Sequence, residues 1–258
     1  MELIKSGDSK YTEYEDLLLE RDQLEKEAGQ IWTVYLQMFG RLISDCFEEK
    51  LACVKCKKTI AYYQHALNHG GAVEPAALEK YLDREMAAYY AELRRMLREN
   101  EEADSAGVST PYEVERSKKL YRRLAKLVHP DMNPETDRSD VLRELWNRIM
   151  AAYHRNDVKE LIELEVLVRR VLRELGAGGV RAELPDIGER AAAVRAEIEE
   201  LTHSEPYTLR YLVEDEEAAE NKKKELREEL ESYQRYHREL NAVILGMLQS
   251  GGIQIHVE

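Results

Sequence analysis

Residues 117–131 read Ser117-Lys118-Lys119-Leu120-Tyr121-Arg122-Arg123-Leu124-Ala125-Lys126-Leu127-Val128-His129-Pro130-Asp131. On a helix, Leu120, Leu124, Leu127 and Val128 share one face, while Lys119, Arg122, Arg123 and Lys126 share another. Six basic residues and no acidic one lie between Arg116 and Lys126, in a chain whose formal charge is −13. A basic face in that setting steers the segment toward an acidic partner surface. Pro130 cannot continue a helix and biases His129 away from helical geometry. The expectation is a helix over 112–128 that ends in a turn, with His129 and Asp131 projecting beside the basic stripe.

On the C-terminal side of this segment, a second helix is expected at 139–155. Trp146, Ile149, Ala152 and Tyr153 fall on one of its faces. Two helices packed antiparallel through these apolar faces would leave the connection 129–138 as an exposed tip. The pattern Tyr121-Arg122-Arg123-Leu124-Ala125 followed by His129-Pro130-Asp131, then Asn133-Pro134 and the Trp146–Tyr153 face, resembles the J domain of the DnaJ family. The resemblance covers about residues 112–156. It implies an allosteric role on a DnaK-type ATPase and no chemistry of the chain's own. Lys118, Lys119, Arg122, Arg123 and Lys126 would dock electrostatically, with Tyr121 of the same motif in the contact set. Asp131 would pair with a partner cation, and the His129-Pro130 turn would hold it in place. The resemblance also implies that no ATP, metal or other cofactor binds this chain.

The family's Gly/Phe-rich linker and Cys-rich zinc repeats are missing. Leu145 and Asn147 replace the charged residues that flank the family's aromatic. Its first helix, with paired tyrosines, has no counterpart just before Pro111. Either Met86–Asn100, with Tyr89-Tyr90, substitutes for it, or the domain is trimmed.

Beyond this centre, a heptad seam runs through Leu17, Leu24, Ala28, Ile31, Tyr35, Met38 and Leu42. It resumes, after one shift in phase, as Cys46, Cys53, Cys56, Ile60, Tyr63 and Leu67. Asn68-His69-Gly70-Gly71 reads as a stop, and Pro75 opens a return helix carrying Leu78, Leu82, Tyr89, Leu93 and Met96. Further helices are expected at 157–175, ended by Gly176, and at 187–202. A long one over 214–249 carries Leu226, Leu230, Tyr233, His237, Leu240, Ile244 and Met247, and is suited to fill the unpaired half of the first seam. The tail at 253–257 alternates like a strand but is too short to carry a fold. The reading is an all-α, elongated protein in which a central J-domain hairpin is flanked by long helical or coiled-coil arms. Its parts are a helical hairpin at 1–102, a J-like domain at 103–176 and a C-terminal helical region at 177–258.

Composition agrees with long solvated helices: 43% hydrophobic, 34% charged, two Trp and two Phe. The acidic balance disfavours nucleic acid, because phosphate affinity comes from Lys and Arg displacing counterions. No apolar run approaches a membrane span, and the start lacks a signal-peptide layout. Three cysteines do not make a disulfide framework, so a cytoplasmic setting is expected. Cys53, Cys56, His65 and His69 invite a zinc reading, but on one helix Cys56 and His65 are half a turn out of phase, and core packing is preferred. The function expected is a co-chaperone that recruits a DnaK-type ATPase to a client or partner protein held by its arms. The alternative is a helical scaffold with a vestigial J-like module. The coiled coils would close within one chain or between two copies in a homodimer.

Overall fold

The computed structural model of the protein describes residues 2–69, 72–107, 109–176, 186–249 and 254–255. Among them the fold is all-α, apart from two residues of parallel pairing between β1 (Ala72–Val73) and β2 (Gln254–Ile255). The rest of the expected tail strand, and Gly70, Gly71 and 177–179 of the expected stops, lie outside the described residues. No described helix is long and apolar enough to cross a membrane.

The chain folds into two compact units, one of Met1–Ile31 with Gly107–Thr208 and the other of Trp32–Ala106 with Leu209–Glu258. These bodies differ from the three consecutive segments 1–102, 103–176 and 177–258. The cause is that each end of the chain carries a helix face that fits a partner distant in sequence.

The first unit is built on α4 (Pro111–Val128), the short α5 (Pro134–Arg138), α6 (Asp140–His154) and α7 (Val158–Glu174). Each start is written locally. Thr110 caps α4 in a reciprocal capping box with Glu113, and Pro111 sits in the first turn. Asn133 caps α5, Ser139 caps α6 and Asp157 caps α7. Past the end of α7, Gly176 turns left-handed at φ 65°. Leu120, Leu124 and Val128 of α4 interleave with Leu142, Ile149 and Ala152 of α6 and with Leu161, Leu164 and Val168 of α7. All nine are 0–1% exposed. The N-terminal part of α1 (Glu2–Tyr35) joins this unit. Tyr14 and Leu18 pack with Met132 and with Ala191 and Val194 of α8 (Ile187–His203).

In the second unit, α2 (Arg41–Asn68) packs against α3 (Pro75–Ser105) and α10 (Glu216–Gln249). A π-helical turn, Leu36–Gly40, adds a residue to the helical repeat just ahead of the phase shift between Leu42 and Cys46. Phe39 of that turn packs with Leu212 of the short α9 (Arg210–Glu214). Further along, Cys46 packs with Leu226, Cys53 and Cys56 with Leu240, and Tyr63 with Val73. Ile244 and Met247 of α10 also pack against Tyr63 and Val73. The long terminal helix thus faces α2. The Leu17–Ile31 stretch of the seam, which lacks that partner, belongs to the other unit.

Candidate partner-docking site

The tripeptide ends α4 in a turn with few free groups. The His129 N–H bonds to the Ala125 carbonyl at 2.9 Å, and its own carbonyl accepts from Met132 and Asn133 N–H at 3.0 and 2.8 Å. Thr136 Oγ1 donates to the Val128 carbonyl at 3.1 Å, and Asn133 Nδ2 to that of Leu127 at 2.8 Å. These bonds satisfy carbonyls that a helix end would otherwise leave bare.

Within the connection 129–138, Glu135, Asp137 and Arg138 are exposed, but His129 does not project into solvent. His129 is 2% exposed, set edge-on against Trp146 at 4.8 Å between ring centres. The Asp131 N–H donates to its Nδ1 at 3.1 Å, which leaves Nε2 to face Asp22 Oδ2 at 3.3 Å. Asp22 comes from α1 and is itself 1% exposed. It also accepts a short hydrogen bond from Tyr121 Oη and two from Arg21, at 3.0 and 3.2 Å. Burial opposes the charge on Asp22, but the hydrogen bonds from His129 and Tyr121 and the Arg21 charge outweigh it. Its carboxyl is held below the usual range. Arg21 then reaches over to Asp131 Oδ2 at 3.4 Å and to Glu197 of α8 at 3.2 Å. The Asp131 side chain keeps 41% exposure.

Tyr121 is also internal. It is 1% exposed and stacked on Tyr153 at 4.0 Å, and burial followed by the Asp22 charge pushes its hydroxyl far above the ordinary phenol range. It holds α4, α6 and α1 together and offers a partner no surface, which corrects its place in the expected contact set. The correction for His129 has the same cause, a helix face from far away in sequence packed over the turn.

The basic stripe is where it was expected. Lys119, Arg122, Arg123 and Lys126 are exposed and Lys118 is half-buried. Three of them have acidic neighbours: Glu115 is 3.2 Å from Lys119, Glu165 is 2.7 Å from Arg123, and Glu15 of α1 pairs with Lys126. Pro130 is half-buried beside them.

Four residues in this site escaped the sequence reading, namely Glu15, Arg21, Asp22 and Lys26. The seam through Leu17 and Leu24 assigned the charged residues of α1 to solvent. The available signal was the spacing of four that puts Tyr14, Leu18, Asp22 and Lys26 on one stripe. Met86–Asn100 lies in α3 of the second unit, and within the first unit α1 packs beside the tripeptide.

Elsewhere, the three cysteines are buried and free. Cys46 and Cys53 Sγ donate to the carbonyls of Leu226 and Tyr233, and Cys56 Sγ lies 3.6 Å from Asn241 Oδ1. His237 Nδ1 is hydrogen-bonded to Glu49 at 2.6 Å. No cluster of described residues has the make-up of a metal site. No family model, curated protein or solved structure matches the chain.

Proposed function

We propose that the chain is a co-chaperone of the J-domain kind, which docks on a DnaK-type ATPase through its first unit and stimulates ATP hydrolysis there. The observation that carries this reading is the α4–α6 pair. A basic helix and a second helix pack through Tyr121, Leu124, Val128, Ile149 and Tyr153, and His129-Pro130-Asp131 makes the turn at the end of the basic helix. The exposed stripe from Lys118 to Lys126 fits an acidic partner surface. Asp131, part-exposed at the end of that stripe, would take a partner cation. Such a protein acts by binding the hydrolysis-competent state of its partner more tightly than the other state. The helices of the second unit would carry the client or partner protein, in the cytoplasm.

A second reading is a helical scaffold in which the hairpin is only a folding module. The burial of His129 and Tyr121 favours it.

Single-turnover ATP hydrolysis by a DnaK-type protein separates the two. Saturating wild-type chain should accelerate turnover. Lys119→Ala with Arg122→Ala, both exposed, should lose most of that acceleration, and added salt should weaken it. No acceleration by the wild type at any concentration would leave the scaffold reading standing.

A further inference from the structure

Resting on the co-chaperone reading, we propose that residues 14–26 of α1 are an internal competitor for the docking site, holding it in a low-affinity state until the partner displaces them. Three contacts carry this. Arg21 places a guanidinium on Asp131, the charge that the partner's cation would supply. Glu15, itself 7% exposed, places a carboxylate on Lys126 of the basic stripe, the charge that an acidic partner surface would supply. Asp22 takes the Nε2 side of His129 and buries the ring. One helix thus presents a cation to the acid of the tripeptide and anions to the histidine and the basic stripe. That is the charge complement of the docking surface, in the same chain.

Apolar contacts fix the helix in that position. Tyr14 and Leu18 close over Met132, immediately after the tripeptide, and Leu19 joins the core of α4, α6 and α7. The order is antiparallel along α4: Lys26 lies by Ser117, Asp22 by Tyr121 and Glu15 by Lys126. The last turn of α4 is therefore covered by the end of the contact nearest the N-terminus, and the tripeptide by Arg21 and Asp22, about one turn before Lys26. Release of residues 14–21 frees Asp131 and Lys126 while Lys26 stays seated.

A partner that binds only the released state meets an apparent dissociation constant raised by the inverse of the released fraction. The clamp is therefore read in the concentration of chain giving half-maximal stimulation, with the maximal rate unchanged. Against an ATP-loaded DnaK-type protein, Arg21→Ala should lower that concentration about threefold, and Glu15→Ala with Arg21→Ala about tenfold, as expected for removing partly exposed ion pairs. In the wild type, which needs no variant to fold, amide exchange over residues 14–20 should speed up when the ATP-loaded partner is added. If wild type and variants give the same half-maximal concentration, or if exchange over 14–20 is unchanged or slowed by the partner, the clamp is overturned and the co-chaperone reading survives. If neither wild type nor variants stimulate at any concentration, both fall.

Discussion

Lys26 is 2% exposed, and its hydrogen-bond and ring partners are neutral: Asn156 Oδ1 at 2.5 Å, Ser117 Oγ at 3.4 Å and the Tyr153 ring at 3.8 Å. Burial first, and then the Lys118 charge, push its ammonium down to about 8. In the unfolded chain a lysine releases its proton near 10.4. Between those values the unfolded state binds more protons, so stability should rise with pH from about 8 toward 10 and be flat just below that window. Lys26→Met, similar in length and uncharged, should remove the rise and add about 1–2 kcal/mol at pH 7. Urea unfolding at pH 7 and 9.5 checks both. The same slope in the variant would mean that Lys26 is solvated in the native state. Asn156 completes this site from a left-handed backbone, φ 55°, which asparagine tolerates better than most residues. Its amide also donates to Ser109 Oγ at 3.1 Å, tying the turn after α6 to the start of α4.

At the scale of the element, the π turn at Leu36–Gly40 does two things. It adds a residue to the helical repeat ahead of α2, and it brings Gly40 against α3. A Cβ at Gly40 would overlap the Asn100 side-chain amide, which is held in place by its own bond to Ser44 Oγ at 2.8 Å. Ser44 in turn donates to the Gly40 carbonyl at 2.9 Å. Gly40→Ala should therefore cost about 1–3 kcal/mol, despite alanine's better helix propensity. Gly29, with open space around it, is the control. There the same change should be neutral or stabilising by up to about 1 kcal/mol. Thermal melts of the two variants decide the point; equal shifts would remove any special role for the Gly40–Asn100 approach.

At the scale of the whole molecule, the second unit depends on pairing between distant parts of the chain. Cys46, Cys53 and Cys56 on α2 are covered by α10, which lies some 180 residues further on. Burial is the largest cause pushing all three thiols above their ordinary range. Thiol reagents attack the thiolate, so native labelling should be at least about a hundredfold slower than in denaturant, limited by local opening. A chain ending at Asp215, before α10, should lose that protection at all three cysteines while the Tyr121–Tyr153 stacking in the first unit persists. Slow labelling in the truncated chain would show that α10 is not what covers the seam.

Local signals set much of this in advance. The capping box at Thr110, the proline after His129, the left-handed Gly176 and the periodic apolar faces of α4, α6 and α10 fix helix ends and inner faces through interactions within a few residues. The all-helical character, the α4–α6 pairing face and the exposure of the basic stripe were legible for that reason. Long-range packing alone selects the distant face that each long helix meets. Asp22 and Lys26 read as solvent-facing charges on their own helix. They are interior because Tyr121, His129, Ser117 and Asn156, about a hundred residues or more away, supply their hydrogen bonds. A buried charge is tolerated only where such partners converge, and no window of local sequence contains both sides of that arrangement.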